Sequence, residues 1–182
     1  MGLSIRAVLL AFGCLIGLAL AVPPAQAGGA CSSASTRPAD LGERALVRST
    51  LCVVNAERAR HGLRPLGLDP RLSSAARRHA IDMARKNFFA HNSLDGSTFL
   101  DRIRSSGYLR GARGWAVGEN IAWGSGAQAS PRAIGRAWMA SPGHRANILS
   151  PSYRELGVGV AGDTPTRGLS GATYATTFAS RR

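Results

Sequence analysis

The sequence predicts an α+β fold: helices cover an antiparallel sheet, in an α+β or three-layer arrangement. Two patterns carry this. Apolar residues at helical spacing dominate the earlier part of the chain, and the two clear strand patterns, 156–160 and 172–178, come only at its end. A third observation excludes a competitor. No G-x-G-x-x-G stands between a strand and a helix, which argues against a doubly wound dinucleotide fold. With 182 residues there is room for one domain, and too little for a (β/α)₈ barrel of roughly 250 residues. A hydrophobic content of 45% supports a packed core and excludes wholesale disorder.

The first element is not part of that fold. Arg6 precedes the apolar run 7–22, which ends in Pro23-Pro24 and the small-x-small site Ala25-Gln26-Ala27. This is the pattern of a secretory signal peptide, residues 1–27, cut after Ala27. The alternative is an uncleaved anchor, but the run is broken by Gly13 and Gly17 and is short against the ~20 residues that span a bilayer. No later run is long enough either. A chain starting at Gly28 carries 22 basic and 10 acidic residues, and Lys86 is the only lysine. The expectation is a soluble, secreted, extracellular product. Cys14 leaves with the signal. Cys31 and Cys52 remain, an even number in an oxidising compartment, and can form one disulfide, with two free thiols as the alternative.

Residues 28–42 are small and polar and read as a flexible leader. Val47, Leu51 and Val54 then mark an apolar stripe in a first helix over 43–59, stopped by Gly62. Residues 63–66 form an extended connector, since Arg64, the residue before Pro65, avoids the helical region. Asp69-Pro70 caps and opens a second helix with the stripe Leu72, Ala76, Ala80, Met83, ending around 87–89. Thr98-x-x-Asp101 resembles a capping box and opens a short third helix to about Ser106. Residues 115–123 read as a loop leading into a short strand or turn. Ser130-Pro131 and Ser141-Pro142 repeat the cap-then-proline start for a fourth helix and a short fifth one through Asn147. The last two strands flank a hairpin loop over 162–171. Gly157 and Gly159 fall on one side of their strand, which predicts close packing over it.

Four histidines are candidates for chemistry. His61 lies at a helix end, where a cation is electrostatically favoured and a structural role follows. His79 lies within the small-residue face of the second helix and reads as a satisfied core or boundary histidine. His91 and His144 each sit in a polar, turn-like segment beside a helix end. Glu119 stands in an otherwise apolar stretch, and a buried carboxylate needs a partner. These three suit two jobs. His91 and His144 can hold a divalent metal, zinc before calcium or magnesium, with a position left for water. Alternatively Glu119 orients a histidine that acts as a base, so that Glu119, His91 and His144 are the catalytic candidates. The plain alternative is a polar cluster that only locks helices onto the sheet. Ser93, Ser141 and Ser150 lack the Gly-x-Ser-x-Gly setting of a nucleophile and suit turns and caps.

Taken in order, the motifs resemble a known family. They are Val54-Asn55-Ala56-Glu57-Arg58 with Gly62-Leu63-x-Pro65-Leu66, Leu72-x-x-Ala75-Ala76, and Phe89-Ala90-His91-x-Ser93-x-Asp95-Gly96. Gly118-Glu119-Asn120-Ile121-Ala122, Trp138-x-x-Ser141-Pro142-Gly143-His144-Arg145-x-Asn147-Ile148-Leu149, Gly157-Val158-Gly159 and Thr177-Phe178 follow. Over 43–180 the chain is similar to the bacterial secreted branch of the CAP superfamily, also called the SCP domain. The resemblance implies a three-layer α-β-α sandwich with a central antiparallel sheet and a broad cleft. It implies that His91, His144 and Glu119 line that cleft and that a divalent metal can bind there. The second acid of many eukaryotic relatives is replaced by Ser141, and Cys31 and Cys52 look like an arrangement of secreted bacterial members. The family has no single agreed activity, so three expectations stand. The first is a secreted CAP-domain protein binding a ligand or divalent metal in a His/Glu-lined cleft. The second is a metal-dependent extracellular hydrolase of peptide or cell-wall material. The third is a charge-driven surface protein that meets lipid or an anionic cell-envelope polymer, with export arguing against nucleic acid as the partner.

Overall fold

The computed structural model describes residues 31–182. The expected signal peptide and residues 28–30 lie outside the described residues. Among the described residues five α-helices form: α1 (Glu43–Arg60), α2 (Pro70–Lys86), α3 (Phe99–Ser105), α4 (Pro131–Ala140) and α5 (Pro142–Leu149). Four strands form one sheet: β1 (Gly67–Leu68), β2 (Trp115–Ser125), β3 (Glu155–Ala161) and β4 (Gly171–Arg181), in the order β1-β3-β4-β2. The fold is an α-β-α sandwich, with α2 and α3 on one face and α1, α4 and α5 on the other.

Strand alternation sorts the two cores. Leu156, Val158 and Val160, with Ala172, Tyr174 and Phe178, pack against Leu46, Val54, Ile134, Trp138 and Ile148. The opposite parity, Ile121, Ala161, Ala175 and Ala179, meets Leu72, Ala76, Ala80, Met83 and Ile103. This second face is the thin one. A Cβ on Gly157 would overlap the backbone of Leu72, and one on Gly159 the backbone of Ala76 and Arg77. The close approach expected of these glycines is that of α2.

The caps follow the sequence with one exception. Asp69 accepts from the amides of Arg71 and Leu72, and Ser130 from Ala133. Thr98 and Asp101 form a full capping box. Ser141 makes no side-chain cap bond to α5. Helix α2 stops at Asn87, whose left-handed backbone (φ 53°) is tolerable for asparagine.

Three expectations need correction. Residues 115–123 do not form a loop with a short strand. They belong to an eleven-residue strand, paired with β4 along its whole length. The sheet is mixed, because the connector after α1 contributes β1, two residues parallel to β3. Asn55 holds this connector: its Nδ2 donates to Leu66 O (3.0 Å) and its Oδ1 accepts from Leu66 N (2.8 Å). Within the expected leader, Ser32–Ser35 and Pro38–Asp40 form two 3-10 turns with Ala34 and Pro38 buried. The Cys31–Cys52 disulfide anchors them to α1, and closing that loop stabilises the fold by about 3 kcal/mol through restriction of the unfolded chain.

Arg58 is the largest charged side chain in the interior, 1% exposed. Its Nε donates to Arg64 O (2.9 Å), and its Nη1 to Ile148 O and Ser150 O (2.8 Å each). The last two are carbonyls at the end of α5, where the helix dipole is negative. Arg58 thus ties α1, the β1 connector and α5 together.

Candidate functional site

Strand β2 is an edge of the sheet, so one row of its backbone groups has no neighbouring strand. The candidate residues gather at this edge from both faces. Glu119 shares strand parity with Ile121 and points to the α2/α3 side. Its side chain is 2% exposed. His91 comes from the segment after α2 and His144 from the first turn of α5, on the other face.

His91 Nδ1 lies 2.9 Å from Glu119 Oε1. An ionised carboxylate only accepts, so Nδ1 carries the proton and Nε2 of the neutral ring keeps its lone pair. The His91 side chain is 49% exposed, which leaves that face of the ring open. Arg102 occupies the other oxygen: its Nη2 donates to Glu119 Oε2 (2.8 Å) and to the His91 carbonyl (2.8 Å). Its Nη1 reaches Ser93 Oγ (3.1 Å) and Ser97 O (3.2 Å), fixing the turn that carries His91. His79 braces the same segment from below, its Nε2 donating to Ala90 O at 2.9 Å. This residue is buried as expected, but its Nδ1 has no partner among the described residues.

On the α5 side, Asn147 Nδ2 donates to Glu119 O (3.1 Å) and Asn120 Oδ1 (2.8 Å), and Asn120 Nδ2 to His144 O (3.0 Å). Gly118 makes this docking possible, since a Cβ there would crowd the Asn147 amide and the Tyr153 hydroxyl. Burial lowers the pKa of His144, and the positive charge His91 can carry lowers it further. His61 stands apart at the end of α1, its Nδ1 2.9 Å from Glu57 O, in the structural place expected of it.

Arg102, Asn120 and Asn147 are site residues that the sequence reading missed. Arg102 lies in α3 beside Ile103, but its partner is seventeen residues away in sequence, so no local spacing marked it.

A pH dependence follows. His79 and His144 both have pKa values lowered mainly by burial. The unfolded chain therefore takes up protons first, at about pH 6.5, and stability present above that pH is lost as pH falls through the folded values. Thermal unfolding followed from pH 8 to pH 5 in EDTA should show a falling Tm below about pH 6.5. His144→Gln should flatten part of that slope; parallel curves would remove His144 from the linkage.

The donor set limits what a metal could find here. Both Glu119 oxygens are committed, and among the described residues no group of three or more His, Cys, Asp or Glu is placed to hold an ion. The set fits a metal only as an open two-imidazole site completed by water or ligand, with Glu119 as the outer carboxylate on His91.

The layers and the edge site define an SCP-type sandwich domain. The profile of the Cysteine-rich secretory protein family (CAP) matches residues 51–178, and the chain belongs to that family. It is 42% identical over 107 residues to YkwD of Bacillus subtilis, covering 59% of this chain and 39% of that protein. It is 34% identical over 113 residues to the membrane protein YlbC of the same organism, covering 62% and 31%. The chain thus spans about two fifths or less of the length of these relatives. Among solved structures, an extracellular SCP-domain protein of Bacillus anthracis aligns with TM-score 0.60 at 28% identity, over 75% of this chain and 40% of that one. An outer surface protein of Borrelia burgdorferi shares the fold, with TM-score 0.58 at 21% identity over 71% and 87%. Among the described residues no helix is long and apolar enough to cross a membrane.

Proposed function

We propose that the chain is an exported CAP-domain binding protein that presents His91 and His144 to a divalent metal, and through it to a ligand, at the open edge of β2. One observation carries the reading: the carboxylate is buried, with a donor on each oxygen. With Arg102 on one oxygen, His91 on the other and a side chain only 2% exposed, Glu119 is shut off from a water whose proton it could take. Its work is to fix the His91 tautomer and aim Nε2 outward. Two imidazole nitrogens favour zinc over calcium or magnesium, which prefer oxygen donors. A bound zinc would supply a positive centre for an anionic or carbonyl oxygen of the ligand. The hydrolase reading has less support, since both imidazoles would be spent as ligands and, among the described residues, no group of three or more His, Cys, Asp or Glu is placed to add a metal site or base beside them. Export is part of the proposal; the apolar run before Ala27 and the extracellular Bacillus anthracis relative support it.

Calorimetric titration of metal-stripped protein tests the reading. Zinc should bind one to one at pH 7.5, more weakly at pH 5.5 as the imidazoles protonate. Calcium and magnesium should give no comparable heat. The His91→Ala/His144→Ala protein should lose the zinc signal. Wild-type protein that binds no zinc, or a double variant that binds it unchanged, overturns the proposal.

A further inference from the structure

The arginines look dispersed along the chain, but the fold collects four of them at one end of the sheet. Arg182 pairs through its backbone with the segment before β2: its amide donates to Gly114 O, and its carbonyl accepts from the amides of Arg113 and Gly114. This places Arg113 and Arg182, nearly seventy residues apart in sequence, side by side. Trp115 opens β2 opposite Arg181 and is 45% exposed. The Arg104 guanidinium lies 5.9 Å from its ring centre. A recess of about 300 Å³ lies between them, lined by Arg104, Gly107, Leu109, Arg110, Ala112 and Trp115. Arg104, Arg110, Arg113 and Arg182 are all exposed.

Little opposes this charge. Among the described residues Arg104 meets Asp101 at 3.5 Å, while Arg110, Arg113 and Arg182 pair with no carboxylate. Even against Asp101 and a carboxylate at residue 182, the end keeps an excess of positive charge. Arg181 is exposed too, but its guanidinium is engaged by Tyr108, donating to the carbonyl (2.9 Å) and lying over the ring.

We propose that this end of the molecule, with Arg104, Arg110, Arg113 and Arg182 around Trp115, docks on an anionic phospholipid surface. The combination decides the partner. Guanidiniums suit phosphodiester oxygens, and the recess between Arg104 and Arg110 can take one headgroup. An exposed indole beside cationic side chains suits the layer between headgroup and acyl chain, where apolar body and polar edge are both satisfied. A soluble polyanion would use the same arginines but gives the exposed indole no apolar layer to enter.

The test is flotation of the full chain with POPC vesicles and with 7:3 POPC:POPG vesicles at 50 and 500 mM NaCl. The N-terminal apolar run is common to every variant, so binding to POPC alone serves as its baseline. POPG-dependent binding is expected at low salt and should fall at high salt. Each guanidinium removed should weaken it about fivefold, so Arg110→Gln/Arg113→Gln/Arg182→Gln should lose most of it. Tryptophan emission should shift to the blue on POPG vesicles, and Trp115→Phe should abolish that shift. The control is Arg44→Gln/Arg48→Gln/Arg136→Gln, which removes equal charge elsewhere. An equal loss in the control attributes binding to net charge and overturns the surface. POPG binding no greater than the POPC baseline overturns it too, and saturable binding of soluble polyphosphate in its place would identify a polymer as the partner.

Discussion

Arg58→Met should unfold at least about 3 kcal/mol more easily than the parent, a fall in Tm of about 10 °C for a domain of this size. Methionine can fill much of the space, so the loss comes from polarity. Three carbonyls, of Arg64, Ile148 and Ser150, would lose their donor, that of Ile148 in the buried interior, and the end of α5 would lose its counter-charge. Burial and the neighbouring Arg154 lower the pKa of the guanidinium, yet arginine stays charged at any pH where the protein folds. Arg58→Lys should recover part of the loss, since an ammonium restores the charge but not the fork that reaches three carbonyls. Chemical denaturation read by circular dichroism checks the order wild type, Lys, Met. Equal stability of all three would make the buried arginine dispensable.

Glu119→Ala should be comparably costly, about 3–5 kcal/mol, because it strands Arg102, whose side chain is only 10% exposed, without its counter-ion. A second effect separates the site from the scaffold. Without the carboxylate, Nδ1 of His91 has no fixed proton and the ring no fixed orientation, so zinc affinity should fall about 10–100-fold. Glu119→Gln keeps the volume and serves as the milder variant. Measured at a temperature where both proteins are folded, it should still bind zinc more weakly than wild type. Unchanged zinc affinity in Glu119→Gln would mean that the carboxylate holds α3 to the sheet and nothing more.

Much of this architecture was legible before the structure. Leu72, Ala76, Ala80 and Met83 marked the buried side of α2, and Gly157 and Gly159 marked where it comes close. The pairing of a buried Glu119 with a histidine followed from the cost of an unpaired interior charge, and His91 is the partner found. Strand β2 was hidden for a physical reason. Gly118, Glu119 and Asn120 interrupt the apolar alternation because these positions make the site and admit Asn147 in place of core side chains. β1 was hidden by being two residues long. Arg102 looked like one more solvated cation among many, since sequence spacing cannot distinguish an arginine facing water from one facing a buried acid across the chain. That His144 meets β2 at Asn120 depends on α5 folding onto the opposite face from His91, a tertiary relation that no local pattern carries.

The edge position of β2 also bears on how copies of the protein behave toward one another. An eleven-residue strand with a free side is a template on which another chain can lay a strand and extend the sheet without limit. Asn147 breaks that template near its middle by occupying the carbonyl of Glu119, and α5 stands over the same stretch. The asparagine that orders the site is thus also a guard against fibrous self-assembly. Conditions that lift α5 would expose the protein to aggregation before they unfold its core.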